Sequence, residues 1–251
     1  MAPSDNPTAA MVIIGDEILS GRTQDTNLNY LARVLGTLGI DLKEARVVPD
    51  VEARIVEAVN ALRAAYDYVF TTGGIGPTHD DITADAIANA FGVSIDYDAE
   101  ALALMAPRYK PGEFNEARKR MARIPKGARL IRNSVSVAPG FQIENVFVMA
   151  GVPMIMRAML EDLAPRLRRG APVHTCTISV RVAEGRIATA LAEIQRVNPA
   201  VAIGSYPFYG EDGSGVQLVV RGSDAAAVAL AADSIESAAK AQGIEPKREN
   251  G

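Results

Sequence analysis

The stretch Thr71-Thr72-Gly73-Gly74-Ile75-Gly76-Pro77-Thr78-His79-Asp80-Asp81-Ile82-Thr83 decides the fold of this chain. It follows an apolar run, Tyr68-Val69-Phe70, that predicts a buried strand, and it precedes apolar residues at helical spacing from Ile82 to Phe91. A glycine-rich turn between a strand and a helix points backbone N–H groups at whatever lies above it, and phosphate is the usual ligand there. The sequence therefore predicts a phosphate-binding turn.

Two adjacent carboxylates, Asp80 and Asp81, directly follow the glycines. The positive end of a helix dipole would stabilise them, but they would repel a phosphate. A divalent cation that bridges carboxylate and phosphate oxygens resolves this conflict. The motif therefore indicates metal-assisted chemistry on a phosphorylated ligand.

Composition narrows the classes of partner. The chain has 251 residues, 48% of them hydrophobic, a net charge of −4, 5% aromatic residues and no Trp. Nucleic-acid-binding proteins usually present a basic surface or an aromatic stacking platform, and this composition favours neither. We therefore expect a globular protein whose partner is a small molecule rather than nucleic acid.

The same sequence favours a cytoplasmic protein with no membrane partner. A single cysteine, Cys176, rules out an internal disulfide framework and suits a reducing compartment. No apolar run approaches the roughly 20 residues of a membrane-spanning helix. The first ten residues do not show the basic-then-apolar pattern of a secretory signal.

Strands and helices alternate over the first two-thirds of the chain. The pattern predicts strands at residues 10–14, 40–48 and 68–72 and a hairpin or strand at 142–149. It predicts helices that start near Thr26, after a cap at Asp50, near His79 and at Pro153. Such alternation is typical of an α/β domain with a mostly parallel sheet covered on both faces.

The pattern changes near residues 168–172, where we expect a domain boundary. Beyond it, residues 175–182 alternate between apolar and polar, which predicts a half-buried strand. The order that follows is helix, strand, strand and helix, with a turn at residues 210–215. The sequence therefore predicts two domains, one over residues 8–168 and a small α+β domain over residues 171–245.

Several ordered motifs resemble one protein family. The glycine motif resembles the signature of molybdopterin-binding domains. The stretches Ile14–Gly21, Thr23–Asn27 and Val47–Asp50 resemble the N-terminal domain of the competence/damage-inducible protein A family, and resemble the N-terminal domain of eukaryotic FAD synthase even more closely. The stretch Gly204–Pro207 in the second domain is similar to the same relatives. The resemblance covers about residues 10–245.

The resemblance implies a molybdopterin-binding-like three-layer α/β/α sandwich followed by the small α+β domain. It also implies activity, because relatives of both kinds are metal-dependent pyrophosphatases that cleave ADP-ribose or FAD at the diphosphate. Members of the wider family instead bind or adenylylate molybdopterin. Relatives self-associate, so the resemblance implies a homo-oligomer, a dimer or a trimer.

Five acidic residues are candidates for catalysis or metal binding. Asp81 and Asp50 match functional positions of the family. Stabilising a helix N-terminus is the less favoured alternative for Asp81 and an equal alternative for Asp50. Asp16 and Glu17 follow the first strand and, with Asp80 and Asp81, form a plausible set of oxygen ligands for Mg²⁺, Mn²⁺ or Co²⁺; the alternative is a solvated loop. A monovalent cation is a further candidate cofactor.

The candidate substrate-binding residues lie mainly in the motif and in neighbouring loops. They are Gly73, Gly74, Gly76, Thr78, Asn27, Asn133 and Gly151. A tight turn is the alternative role for the glycines, and capping of the first long helix is the alternative for Asn27 and Thr26. Asn133 is a candidate through the resemblance only.

The chain departs from the family pattern at two positions. Ser136 replaces a glycine in the loop after Asn133, and Ile155 stands where the competence-protein pattern has Glu. An apolar residue at the latter position favours the FAD-synthase-like branch. The basic residues Arg118, Lys119, Arg120 and Arg123 either steer an anionic ligand or form a solvated helix face, which is the favoured interpretation.

These features support two functions. The first is metal-dependent hydrolysis of the diphosphate of a dinucleotide such as FAD or ADP-ribose, with release of AMP. The second is a module that binds a pterin or a nucleotide without turnover, in molybdenum cofactor or flavin metabolism. Adenylylation of molybdopterin is a less favoured third function, because the second domain resembles the pyrophosphatase branch.

Overall fold

The computed structural model describes residues 6–210 and 213–250. These residues form two compact units, one over Asn6–Gly170 and one that begins at Ala171. The strands of the first unit are β1 (Thr8–Ile14), β2 (Asp41–Val48), β3 (Tyr68–Thr72), β4 (Ile95–Tyr97), β5 (Arg123–Pro125), β6 (Arg129–Ile131), β7 (Gly140–Ile143) and β8 (Val146–Met149). Its α-helices are α1 (Asp16–Leu19), α2 (Asn27–Thr37), α3 (Glu52–Ala65), α4 (Thr83–Phe91), α5 (Ala99–Met105), α6 (Glu116–Lys119) and α7 (Pro153–Leu163).

The main sheet of this unit is mostly parallel, as predicted. Its strand order is β2-β1-β3-β8-β7-β6, and the pairs β1–β2, β1–β3 and β3–β8 are parallel. Strand β7 is antiparallel to both of its neighbours, so β6 runs in the same direction as β8. The loops after β1, β2, β3, β6 and β8 therefore leave the same edge of the sheet, where open α/β sheets bind their ligands.

Both faces of the sheet are buried, which explains why β1 reads as a continuous apolar run. Ala10, Val12 and Ile14 face one core, which α3 and α4 complete with residues such as Ile55 and Ile87. The alternate β1 residues face a second core, completed by α2 and α7; its members include Ala9, Met11, Ile13, Leu31, Leu35, Met156 and Leu160. This arrangement is the predicted three-layer α/β/α sandwich.

The helix after the motif begins later than the sequence predicts. Helix α4 starts at Thr83 rather than near His79. Residues 79–82 remain in a turn because the backbone N–H of Thr78 donates to the side chain of Asp81, and Thr83 N–H bonds the carbonyl of Gly74. Asp80 and Asp81 therefore precede the helix, and the prediction that they occupy its first turn is wrong.

Two predicted helix caps are also wrong. The residue before α3 is Val51, whose side chain cannot accept a hydrogen bond, while the carboxylate of Asp50 accepts one from the backbone of Asp16. At the start of α2, the cap is supplied by Asp25, whose Oδ1 accepts from Leu28 N–H at 2.9 Å. The predicted loop after β1 contains the one-turn helix α1.

Residues 95–125 add a small substructure beside the motif. Strands β4 and β5 pair antiparallel, with Tyr97 opposite Arg123. The rings of Tyr109 and Phe114 stack at 5.3 Å, and the guanidinium of Arg118 lies 4.6 Å from the centre of the Tyr109 ring. This region contains several prolines and glycines, and its helices and strands are short.

The second unit is a four-stranded antiparallel sheet with two helices. Its elements are β9 (His174–Val180), α8 (Ala188–Val197), β10 (Ala202–Gly210), β11 (Gly213–Gly222), α9 (Ala225–Ala241) and β12 (Pro246–Asn250). The strand order is β10-β11-β9-β12. The predicted element order is confirmed, β12 was missed, and Glu211 and Asp212 of the predicted turn lie outside the described residues. Cys176 is buried in this core.

No helix in the described ranges combines the length and the apolar character needed to cross a bilayer.

Candidate functional site

The ends of three neighbouring strands, β1, β3 and β8, pack closely around Gly73 at the carboxyl edge of the sheet. Gly73 has a φ of 101°, and a Cβ added there would lie 2.1 Å from the carbonyl oxygen of Ile14 at the end of β1. A Cβ on Gly151, in the loop after β8, would lie 3.2 Å from the Cα of Gly73. Backbone packing between β1, β3 and β8 therefore requires glycine at position 73.

The other two motif glycines make room for side chains of the turn itself. A Cβ on Gly74 would lie 2.1 Å from Thr83 Oγ1, and one on Gly76 would lie 2.6 Å from Asp81 Oδ2. Thr83 Oγ1 in turn donates to the carbonyl of Gly73 at 3.0 Å. The tight-turn interpretation thus accounts for these glycines, and their contact with a ligand stays a prediction.

Asp81 uses one carboxylate oxygen to hold this turn closed. Its Oδ2 accepts hydrogen bonds from the backbone N–H of Thr78 at 2.8 Å and from the Thr78 hydroxyl at 2.6 Å. The residue also lines a small cavity of about 20 Å³ next to Gly74, Gly76 and Arg120. Asp81 therefore builds the motif in addition to any role toward a ligand.

A group of carboxylates meets where the loops after β1, β2 and β3 leave the sheet. Asp50 Oδ2 accepts a hydrogen bond from the backbone N–H of Asp16 at 2.9 Å. Burial raises the pKa of Asp50, and repulsion by Asp16, Glu17 and Asp80 raises it further, against the opposing effect of that hydrogen bond. We call these four residues the acidic cluster. The negative charges of Asp16, Glu17 and Asp80 all act on Asp50, and their role as metal ligands stays a prediction.

Asp80 has the opposite pKa shift. Its pKa is lowered, chiefly by hydrogen bonding with the Thr78 side chain and less by attraction to His79. A hydroxyl carries one proton, so the interaction of Thr78 with Asp80 and its 2.6 Å bond to Asp81 are alternatives. Asp80 thus favours the ionised form, while Asp50 takes up a proton more readily than an ordinary aspartate. Carboxylates with divergent pKa values are typical of sites that divide charge stabilisation from proton transfer.

The donor chemistry of the acidic cluster fits a hard divalent cation only in part. Among residues 6–210 and 213–250, no group of three or more His, Cys, Asp or Glu side chains is arranged to hold a metal ion. Mg²⁺ in nucleotide sites is commonly bound by one or two carboxylates, with phosphate oxygens and waters completing its octahedron. The cluster therefore suits a cation that a phosphorylated ligand shares.

Two residues predicted to contact the ligand, Asn27 and Asn133, form hydrogen bonds within the protein. Asn27, at the start of α2, is buried, and its Nδ2 donates to the carbonyl of Gly151 at 2.7 Å. Asn133 Oδ1 accepts from the backbone N–H of Val135 and Ser136, and its Nδ2 donates to a further carbonyl of the same loop. The loops after β6 and β8 are thereby fixed at the site edge, and direct ligand contact by Asn27 and Asn133 stays a prediction.

The substituted loop position lies next to Val137, which has a left-handed φ of 60°. Ser136 donates to Asn133 Oδ1 from its backbone N–H at 2.7 Å and from its hydroxyl at 3.3 Å. The serine at a position where the family pattern has glycine therefore adds a hydrogen bond to the loop.

Two of the four basic residues turn toward the motif. Arg123 forms a bidentate pair with Asp85 of α4 at 2.8 and 2.7 Å, and Arg120 donates to the backbone carbonyl of Asp81 at 3.3 Å. The favoured sequence interpretation, a solvated helix face, suits Arg118 and Lys119. It misses Arg120 and Arg123, because periodicity cannot show which side chains reach another element.

The chain matches two family models, one after the other. A family model described as "Probable molybdopterin binding domain" matches residues 10–169. The chain belongs to this family. The molybdopterin-binding domain is followed by a match of residues 172–248 to a second model, described as "FAD synthase, middle domain".

Individual relatives agree with this assignment. A protein of Archaeoglobus fulgidus is 36% identical over 78% of this chain and 84% of its own length. A "Probable FAD synthase" of Caenorhabditis briggsae is 33% identical over 82% of this chain and 45% of its own. A crystal structure of the protein CinA from Thermoplasma acidophilum is similar with a TM-score of 0.61 and 32% identity, covering 65% of this chain and 99% of that one. The predicted family resemblance is confirmed.

Proposed function

We propose that this member of the molybdopterin-binding domain family hydrolyses the diphosphate of a dinucleotide-type substrate, of the FAD or ADP-ribose class, and releases AMP. The observation that carries the proposal is the acidic cluster beside the glycine turn, with the pKa of Asp50 raised and that of Asp80 lowered. The similarity to FAD synthase over both units supports a flavin or adenine dinucleotide as the substrate class.

The reaction adds one water across the diphosphate bridge. The water oxygen attacks one phosphorus, the bond from that phosphorus to the bridging oxygen breaks, and two phosphate monoesters leave. One product is AMP and the other is the phosphorylated partner. We assign to Asp50 the acceptance of the water's proton, because its raised pKa brings it closer to a useful general base than an ordinary aspartate.

The other acidic residues would hold the metal. We propose that one or two of Asp16, Glu17 and Asp80 are the carboxylate ligands, with Asp81 as a further candidate through its second oxygen, because no three such side chains of the described residues are arranged around one metal position. A divalent cation held there with the diphosphate would neutralise phosphoryl charge and make water more acidic. The turn at Gly73, Gly74, Gly76 and Thr78 would position the diphosphate. The backbone N–H groups of Gly73 and Thr78 already donate to Met149 and Asp81, so those of Gly74 and Gly76 would be the donors.

A second candidate function has its own support. The Asp81 oxygen Oδ2 and the side-chain oxygen and nitrogen of Asn133 already bond the protein's own loops. A site built so fully from internal bonds also suits a module that binds a molybdopterin or a nucleotide without turnover.

One assay separates the two. The purified protein is incubated with FAD and with ADP-ribose, with Mg²⁺, Mn²⁺, Co²⁺ or EDTA, and AMP is followed by chromatography. AMP that appears only with metal supports hydrolysis. Unchanged substrate under every metal condition, with binding detected by calorimetry, supports the binding module instead.

A further inference from the structure

A surface groove runs from the motif to an exposed aromatic ring. It has a volume of about 480 Å³ and is lined by Pro77, Thr78, His79, Tyr97, Arg120 and Arg123, among others. We call it the Tyr97 groove. Sites for nucleotide-sized ligands commonly have volumes of about 300–1,000 Å³. The motif, which contributes Asp80 to the acidic cluster, is thus one wall of a space large enough for half of a dinucleotide.

Arg120 supplies this groove with a positive charge that is available to a ligand. Arg123 forms hydrogen bonds with both oxygens of Asp85, and Arg120 forms a longer ion pair with the same carboxylate at 3.7 Å. Two guanidinium groups thus share one carboxylate, which leaves a net positive charge. Within the described residues, Arg120 donates one hydrogen bond, to the carbonyl of Asp81. A guanidinium has five N–H donors, so most of those of Arg120 can serve a phosphate.

The position of Arg120 connects the groove with the turn. The residue lines the Tyr97 groove and also the small cavity against Gly74, Gly76 and Asp81. The acidic groove residue Glu116 is paired with Lys119 at 2.7 Å and leaves the charge of Arg120 uncompensated from that side. A diphosphate at the turn would therefore meet carboxylates on one side and Arg120 on the other.

Tyr97 presents a flat ring at the far end of the groove. The residue is 46% exposed and lies directly opposite Arg123 in the β4–β5 pair. Tyr97 also lines a second, mainly apolar hollow of about 510 Å³, together with Leu102, Ala103, Ala106, Phe114 and the ion-paired Glu116 and Lys119. An exposed aromatic ring between a cationic groove and an apolar hollow suits an aromatic base, because a base stacks on the ring while its phosphate reaches the arginine.

We infer that the Tyr97 groove is the subsite for a phosphate-linked aromatic base, with Arg120 binding the diphosphate and Tyr97 stacking on the base. The choice of occupant rests on the proposed function. The base is the adenine or the flavin ring of the dinucleotide, which share this chemistry.

Binding of two probes that the protein cannot hydrolyse at a diphosphate tests the inference. They are α,β-methylene-ADP, which has adenine and two phosphorus groups, and FMN, which has a flavin and one phosphate. Calorimetry in Mg²⁺ compares the unaltered protein with Tyr97→Ala, Tyr97→Phe, Arg120→Ala and Arg120→Lys. Arg196→Ala is the control, since it removes an exposed arginine of α8 that pairs with Glu193.

We expect Tyr97→Ala to weaken the binding of one of the two probes about tenfold, while Tyr97→Phe binds it with wild-type affinity. Loss of α,β-methylene-ADP binding assigns the ring to adenine, and loss of FMN binding assigns it to flavin. Arg120→Ala should weaken the binding of α,β-methylene-ADP about tenfold and make its affinity less dependent on salt concentration. Arg120→Lys should restore part of the affinity. Arg196→Ala should bind as the unaltered protein does.

The inference is overturned if both alanine variants bind both probes with wild-type affinity, or if the unaltered protein binds neither probe. The outcome is separable from that of the proposed function. Weakened binding in the variants of a protein that leaves FAD and ADP-ribose intact would retain the groove and reject hydrolysis. Hydrolysis by a protein whose variants bind both probes normally would support the proposed function and reject the groove as a subsite.

Discussion

The carboxylate of Asp50 accepts a hydrogen bond from the backbone N–H of Asp16, 34 residues earlier in the chain. This bond joins the loop after β2 to the loop after β1. It offsets only part of the burial and the repulsion that raise the pKa of Asp50. The residue is thus held in place at a position where its negative charge is unfavourable, which is common for groups retained for function.

Replacement of Asp50 by Asn is expected to stabilise the fold and abolish turnover. An asparagine oxygen can still accept from Asp16 N–H, but it carries no charge. Because the folded-state pKa of Asp50 lies above its unfolded value, the folded state binds this proton more tightly. The cost of ionised Asp50 is therefore fully present above the folded-state pKa and disappears below the unfolded one.

Urea denaturation measures this difference. At pH 7, Asp50→Asn should have a larger free energy of unfolding than the unaltered protein, and the gap should close toward about pH 3, below the ordinary aspartate pKa. A variant that is less stable by the same amount at both pH values would contradict the explanation.

Substitution of Gly73 should destabilise the fold far more than substitution of a glycine that has a left-handed φ but has free space for a Cβ. Gly73→Ala places a Cβ 2.1 Å from Ile14 O at a φ of 101°, so strain and overlap add to more than about 3 kcal/mol. Gly92 ends α4 at a φ of 63° with nothing within 4 Å of an added Cβ, and Gly92→Ala should cost about 1–2 kcal/mol. Equal losses in denaturant unfolding of the two variants would show that the strand ends can separate.

Two substitutions at Asp81 separate the roles of its charge and its hydrogen bonds. Asp81→Asn retains an oxygen for the Thr78 N–H and hydroxyl, so its stability should stay within about 0.5 kcal/mol of the unaltered protein. Asp81→Ala loses both bonds and should cost about 1–3 kcal/mol. With FAD as substrate, Asp81→Asn should reduce the rate of AMP release about 10²-fold. An unchanged rate would confine Asp81 to closing the turn.

The sequence predicts the main sheet well because its signals are local. Buried runs at β1 and β3, helical periodicity in α2 and α3, and glycines at chain reversals each depend on neighbouring residues. The α4 start and the role of Asp50 depend instead on side chains that bond across loops, and periodicity carries no information about such bonds. Strand β12, Pro-Lys-Arg-Glu-Asn, is too polar to read as a strand, and it forms through pairing with β9.

The same difference between local sequence signals and contacts across loops applies to the candidate site. The resemblance selected Asp50, the positions after the strands selected Asp16, Glu17 and Asp80, and in the structure the charges of these three act on Asp50. Arg120 was grouped with a solvated face, because its contact with Asp81 spans 39 residues of sequence. A motif can therefore indicate which loops form a site, while the residues that complete the site come from the fold.

The central claim is that the acidic cluster and the glycine turn share one cation with a diphosphate, and coupled binding tests it most directly. The affinity for α,β-methylene-ADP is measured by calorimetry with Mn²⁺ and with EDTA, and the affinity for Mn²⁺ is measured with and without the nucleotide. The account predicts that each ligand raises the affinity of the other by the same factor, about 10-fold or more, and that Asp16→Asn with Asp80→Asn removes the coupling. Nucleotide binding that is indifferent to Mn²⁺ in the unaltered protein would contradict it.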